Sequence, residues 1–171
     1  MKIFLIGFMG CGKSTLGKKL ALKLGYTFVD IDKEIERMVN MSISEYFQKH
    51  GEEAFRELES SALKTINLPE NSVIATGGGA PCFFDNLQWM NENGTTIYLS
   101  LSPKALAKRL ENGTEQRPVL QNLKGEQLEQ FIAERLELRE KFYKQAELVV
   151  KGMDQNPEKI IEILKTADHL K

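Results

Sequence analysis

Cysteine is scarce in this chain of 171 residues: Cys11 and Cys82 are the only two. Two thiols make no disulfide framework, and Cys11 lies in a glycine-rich loop, so a structural crosslink is not expected. An excess of one charge is missing too. With 23 Lys and Arg against 24 Asp and Glu, the formal net charge is −1 and the pI about 6.2. No global field then draws nucleic acid or an anionic membrane, and any positive potential must be local. No apolar run approaches the roughly 20 residues that span a bilayer. The chain opens directly into a strand-like segment, so no targeting leader is expected, and no internal repeat or low-complexity tract is present. What remains is 42% hydrophobic and 27% charged residues, a composition and length that suit one soluble domain with a single core. The expectation is a cytoplasmic enzyme, monomeric, without nucleic-acid or membrane partners.

Residues Gly7-Phe-Met-Gly-Cys-Gly-Lys-Ser14 match the phosphate-binding pattern G-x-x-x-x-G-K-[ST]. The context agrees. Lys2–Ile6 is a short apolar run of strand type, and Leu16, Leu20 and Leu24 recur every four residues after the loop, as on one face of a helix. Strand, loop and helix place backbone N–H groups and a helix N-terminus around one polyphosphate. Lys13 adds a positive charge for the β- and γ-phosphates, and the Ser14 hydroxyl suits Mg²⁺. The chain is expected to bind a nucleoside triphosphate.

Five strand-like runs alternate with helical stretches: Lys2–Ile6, Thr27–Asp30, Ser72–Ala75, Thr96–Ser100 and Glu147–Val150. That alternation predicts an α/β fold, a five-stranded parallel sheet with helices on both faces. Local signals mark the helix ends. Gly25 closes the first helix, Ser42-Ile-Ser-Glu45 is a capping box, Gly51 ends the short helix it opens, and Gly94 stops another. Ser102-Pro103 and Asn156-Pro157 each set a cap before a proline at the first helical position. Two segments exceed the simple alternation. The stretch between the second and third strands holds more helix than one crossover needs, which suggests an inserted substrate-binding subdomain over 32–61. The polar segment 111–125, containing Arg117-Pro118, reads as a mobile lid.

Asp30-Ile-Asp32 ends the second strand, beside the phosphate loop in a sheet of this kind. Alternation turns both carboxylates toward the cleft, one for Mg²⁺ or its waters and the other for a proton from an attacking hydroxyl. Helix capping alone would also explain Asp32, with the helix starting at Lys33. Three consecutive glycines, Gly77 to Gly79, follow the third strand and allow a ligand close to the backbone. Arg56, Arg109, Arg117, Arg135 and Arg139 could serve a small anionic substrate. Taken one by one, each is better explained as a surface residue than as a ligand, and Glu134, Glu137 and Glu140 could pair with Arg135 and Arg139 along a helix.

Together these segments resemble the shikimate kinases over essentially the full length. The phosphate loop through Thr15, Asp30-Ile-Asp32, Gly51-Glu-Glu-Ala-Phe-Arg-Glu-Leu-Glu59, Ala75-Thr-Gly-Gly-Gly79 and Arg117-Pro-Val-Leu120 are similar to that family's, in the same order. Arg139-Glu-Lys-Phe-Tyr143 is a partial match, with Lys141-Phe142 where the family commonly has Pro-Leu. The resemblance implies a P-loop kinase fold and transfer of the ATP γ-phosphate to the 3-hydroxyl of shikimate, a step toward chorismate and the aromatic amino acids. It implies that Asp32 holds the shikimate hydroxyls and favours deprotonation of the attacking one. Asp30 would hold Mg²⁺ through water while Ser14 ligates it directly. Arg56 and Arg139 would grip the carboxylate, and Gly78 and Gly79 would meet the substrate through the backbone. Gly10, Cys11, Gly12, Lys13, Ser14 and Thr15 would cradle ATP. Arg117 would close over the phosphates, Arg109 would lie against adenine, and Gln155 is a further candidate adenine contact.

Rival readings are another small-molecule kinase of this fold, such as a gluconate kinase, a GTP-binding switch, and a non-catalytic nucleotide-dependent module. A switch needs Asn-Lys-x-Asp and Asp-x-x-Gly motifs, and neither occurs. Asp32 argues against the non-catalytic module.

Overall fold

The structure is a computed structural model, and it describes residues 1–113, 120 and 123–169, without the side chain of Met153. Five strands form one parallel sheet: β1 (Lys2–Ile6), β2 (Thr27–Asp30), β3 (Ser72–Ala75), β4 (Thr95–Ser100) and β5 (Leu148–Lys151), in the spatial order β2-β3-β1-β4-β5. β1 is central and covered on both faces. Ile3, Phe4, Leu5 and Ile6 are all fully buried, which is why this strand reads as a continuous apolar run rather than an alternating one. Each such side chain contributes roughly 1.5–3 kcal/mol of burial.

The strand order decides where a ligand can sit. From β1 the chain crosses to β2, passing β3, whereas from β3 it crosses the other way to β4. The two connections diverge from adjacent strands and leave a crevice at their carboxyl ends. Right-handed crossovers put α1 (Lys13–Leu24) on one face and α4 (Asn86–Asn93) and α6 (Gly125–Tyr143) on the other. α7 (Pro157–Thr166) returns to pack on α1, and α5 (Pro103–Glu111) packs on α6.

The helix ends follow local chemistry. In α1 Leu16 and Leu20 are buried, Leu22 is exposed, and Gly25 caps the C-terminus in the left-handed region. α2 (Ile31–Val39) and α3 (Ile43–Thr65) make up the inserted helices, and the Ser42–Glu45 capping box is complete in both directions. At Gly51 α3 kinks, with φ 83° and ψ 172°. Ser102 and Asn156 cap α5 and α7 through their side chains, each before its proline.

Three details depart from the sequence expectations. β4 starts one residue earlier, at Thr95. β5 runs Leu148–Lys151 because the Glu147 N–H donates to the Thr96 hydroxyl at 2.9 Å instead of joining the ladder. Asp32 is no helix cap: α2 begins at Ile31, and the capping carboxylate is Asp30, which accepts from the Lys33 N–H at 3.5 Å. Of the expected lid, residues 114–119, 121 and 122 lie outside the described residues, Arg117 among them. The start of that segment is helical, since α5 runs through Glu111, and its two ends meet where the Gly125 N–H donates to the Glu111 carboxylate at 2.5 Å. Both cysteines are free thiols. Among the described residues no helix is long and apolar enough to cross a membrane.

Candidate active site

A cavity of about 740 Å³ opens at the crevice, and Lys13, Ser14, Asp30, Asp32, Gly78 and Arg109 are on its wall. The phosphate loop turns out of β1 with Gly10 and Gly12 at φ 79° and 99°, a region that disfavours any Cβ. Gly12 caps α1 and has no side chain to satisfy the first-turn N–H groups, so these stay open to an anion. The Lys13 ammonium reaches back over the loop and donates to the carbonyls of Gly7 (2.8 Å) and Phe8 (3.1 Å). Its charge is thus held at the mouth of the loop with the aliphatic stem buried. Arg109 comes from α5 and donates to the Cys11 carbonyl at 2.9 Å, lying across the same loop.

Opposite the loop, Asp30 and Asp32 stand one on the end of β2 and one in the first turn of α2. Both line the cavity, but the turn of a helix aims Asp32 there, not strand alternation. Asp30 accepts from the Ser14 hydroxyl at 2.8 Å. A hydroxyl and a carboxylate side by side offer the hard oxygen donors that Mg²⁺ takes. Among the described residues no cluster of three or more His, Cys, Asp or Glu side chains could hold a metal ion. Burial pushes the pKa of Asp32 above its ordinary 3.8, and the neighbouring Asp30 charge adds to the rise while Lys13 opposes it. A carboxylate raised in this way is a better base than a solvated one.

The chain's own side chains stand close against two of the three glycines. A Cβ on Gly77 would stand 2.5 Å from Glu59 Oε1 and 3.0 Å from Asp32 Oδ1, and one on Gly79 would overlap the Arg56 guanidinium. A Cβ on Gly78 would stand 3.3 Å from the Met9 amide and 3.6 Å from Arg139 Nη1. The turn therefore brings Asp32, Arg56 and Arg139 to one place. Arg56 is buried, donating to Glu59 at 2.7 Å and to Glu52 at 3.4 Å, with its guanidinium 4.4 Å from the Phe83 ring centroid. Its Nε–H is buried with no acceptor among the described residues. Arg139 packs over the Phe8 ring at 5.5 Å, and among the described residues it forms no ion pair with Glu134, Glu137 or Glu140. Neither arginine is on the wall of the main cavity; Gly78, beside Arg139, is on it, and Gly79, beside Arg56, is not. Arg135 is exposed over Phe131 and takes no part.

Lys141-Phe142 leaves α6 unbroken to Tyr143, with the Lys141 ammonium outside over the Phe142 ring at 5.1 Å. Gln155 donates through its amide nitrogen to the carbonyls of Ser100 (3.0 Å) and Val150 (3.3 Å), its Oε1 is buried with no hydrogen-bond partner among the described residues, and it is absent from the wall of the main cavity. Thr15, exposed, lines the cavity beside Ser14. Sequence reasoning gave Glu59 no place of its own beside Arg56. It is 1% exposed, its pKa is raised by burial, and the Arg56 charge opposes the rise. The i,i+3 spacing of Arg56 and Glu59 in a helix was the available signal.

Comparison with known proteins agrees with this geometry. The shikimate kinase family model matches residues 9–168. The shikimate kinase of Parabacteroides distasonis is 50% identical over 147 residues, 86% of this chain and 85% of that protein. The crystal structure of the shikimate kinase from Bacteroides thetaiotaomicron is 40% identical and superposes with a TM-score of 0.90, covering 98% of each chain. The shikimate kinase of Acinetobacter baumannii, solved in complex with shikimate, gives 0.84 at 32% identity, over 99% of this chain and 95% of that one. A phosphate loop facing two aspartates across one crevice, and a match over nearly the whole length, lead to one conclusion: the chain belongs to the shikimate kinase family.

Proposed function

We propose that this chain transfers the γ-phosphoryl group of ATP to the 3-hydroxyl of shikimate, releasing shikimate 3-phosphate and ADP. The observation that carries the reading is the shared cavity: Lys13 in the phosphate loop and the Asp32 carboxylate face one space. Phosphoryl transfer needs an in-line hydroxyl, neutralised charge and the exclusion of water. Asp32 orients the shikimate hydroxyls and accepts the proton of the attacking one. Lys13 and the first-turn amides of α1 take the phosphates, and Arg109 lies over the loop toward adenine. Arg56 and Arg139 hold the carboxylate, and the unused Nε–H of Arg56 favours an added acceptor. Ser14 and Asp30 would hold Mg²⁺, which would neutralise phosphate charge. The inserted helices over 32–61 serve as the substrate-binding subdomain and 111–125 as the lid, within one monomeric cytoplasmic domain. ADP release measured with and without shikimate tests the reading. Release that ignores shikimate but follows gluconate would transfer the assignment to another small-molecule kinase.

Arg139→Lys keeps the charge but loses the paired N–H donors and the flat face that packs on Phe8. Shikimate Kd should rise roughly ten- to hundredfold, the equivalent of about 1.5–3 kcal/mol, while ATP affinity holds. Parental shikimate affinity in this variant would remove Arg139 from the site. Arg117→Ala should lower kcat more than it weakens ATP binding, because a lid arginine acts chiefly on transition-state charge. An unchanged rate at saturating ATP and shikimate would reduce the segment to an ordinary loop.

A further inference from the structure

Tyr143 ends α6 with a fully buried ring stacked against Tyr98, centroids 5.0 Å apart. Its hydroxyl donates to the Gly78 carbonyl at 2.5 Å, bridging 65 residues of sequence. Arg139 lies one helical turn earlier, on the same face of α6. Its Nη1 is 3.6 Å from where a Cβ on Gly78 would stand. The guanidinium also acts on the Tyr143 hydroxyl, by charge and by hydrogen bonding, against the burial that pushes the phenol's pKa up. The phenol therefore keeps its proton at neutral pH and remains a donor. One hydroxyl thus faces both the strand-end glycine and the arginine that the functional reading assigns to substrate.

A buried phenol often takes a carbonyl merely to satisfy itself. Here the carbonyl is that of Gly78, the turn glycine on the cavity wall, and the same hydroxyl meets the Arg139 guanidinium, so the bond joins two groups that the functional reading assigns to substrate.

We propose that Tyr143 is a positioning residue for the acceptor's carboxylate: its hydroxyl ties Gly78 to the Arg139-bearing end of α6 and sets the spacing between the two. The inference rests on the reading of Gly78 and Arg139 as shikimate contacts. Uniform loss of substrate binding raises KM without lowering kcat.

Tyr143→Phe keeps the ring and its stacking. The KM for shikimate should rise about five- to tenfold, the scale of one lost hydrogen bond, with kcat and the KM for ATP nearly parental. A merely structural bond would lower the melting temperature and leave this pattern untouched. Tyr98→Phe, the control, should change neither KM. In the double variant with Arg139→Lys, the two KM penalties should combine to less than their product, since one residue acts through the other. Parental KM in a folded Tyr143→Phe protein, or penalties that simply multiply, would overturn the inference while the kinase reading stands. A parent enzyme without shikimate-dependent ADP release would instead end the functional reading, and the inference with it. Should Tyr143→Phe fold poorly, 3-fluorotyrosine placed at position 143 retains the hydroxyl. Its ¹⁹F resonance should move on adding shikimate and not on adding ATP alone; an unmoved resonance overturns the proposal.

Discussion

Lys13→Ala should lower kcat by about 10²–10³-fold, the cost of removing one preorganised donor from a developing anion. The geometry behind this is the amino group drawn over the loop by the carbonyls of Gly7 and Phe8, at 2.8 and 3.1 Å. The charge is fixed before the phosphates arrive, so little reorganisation is needed during transfer. The same two bonds give the variant a second phenotype. Hydrogen bonds to a charged group contribute roughly 1.5–3 kcal/mol, so the melting temperature should fall by about 3–12 °C in a chain of this size. Activity should therefore be assayed well below the new midpoint, with circular dichroism on the same sample. Near-parental ADP production by folded Lys13→Ala protein would mean that the loop binds nucleotide without this side chain.

Asp32→Asn separates catalysis from stability because the two should move in opposite directions. If the carboxylate takes the proton from the attacking hydroxyl, the rate should drop by about 10²–10⁴-fold. The folded-state pKa of Asp32 is raised, chiefly by burial and then by Asp30, so the folded protein holds this proton more tightly than the unfolded chain does. Below the ordinary 3.8 both states are protonated and the residue is neutral toward folding. As pH rises through the raised folded value, the buried charge destabilises the native state. Asparagine carries no charge, so at pH 7 the variant should melt at the parental temperature or above it, with the advantage gone at acid pH. A catalytic group kept at a cost in stability behaves in this way. Parental activity in the variant would return Asp32 to a structural role; a fall in melting temperature at pH 7 would show that burial does not dominate its environment. In the parent, kcat/KM should decline on the acid side, as Asp32 becomes protonated at a pH above 3.8.

Most helix boundaries were legible because the interactions that set them span only a few residues. Ser42 with Glu45, Asn156 before Pro157 and Gly51 at φ 83° each act within one turn of chain. The phosphate loop is legible for the same reason, being one continuous run whose glycines and Lys13 meet a ligand without help from elsewhere. The aspartate pair was legible as a pair but not in its division of labour. Asp30, not Asp32, caps α2, and the Ser14 hydroxyl that holds it is 16 residues away. The hydrogen bond from Ser14 commits Asp30 to the loop side and leaves Asp32 the burial that raises its pKa.

The arginines show the remaining boundary. Arg56 and Arg135 both sit in helices amid glutamates, and although Arg56 has acids at helical spacing, that spacing does not say which arginine is buried. The fold buries Arg56 to 8% exposure against Phe83 and Glu59 and leaves Arg135 outside over Phe131. By itself the sequence determined the alternation of strands and helices, the caps, the phosphate loop and the need for a backbone without side chains at Gly77–Gly79. Only the tertiary structure decided what stands against that bare backbone: Glu59 and Asp32 at the first glycine, the Met9 amide and Arg139 at the second, Arg56 at the third. The physical reason is range. Periodicity, capping and turn chemistry act over three or four residues, whereas these contacts exist only after the order β2-β3-β1-β4-β5 has set the end of β3 beside the phosphate loop and folded α3 and α6 over it.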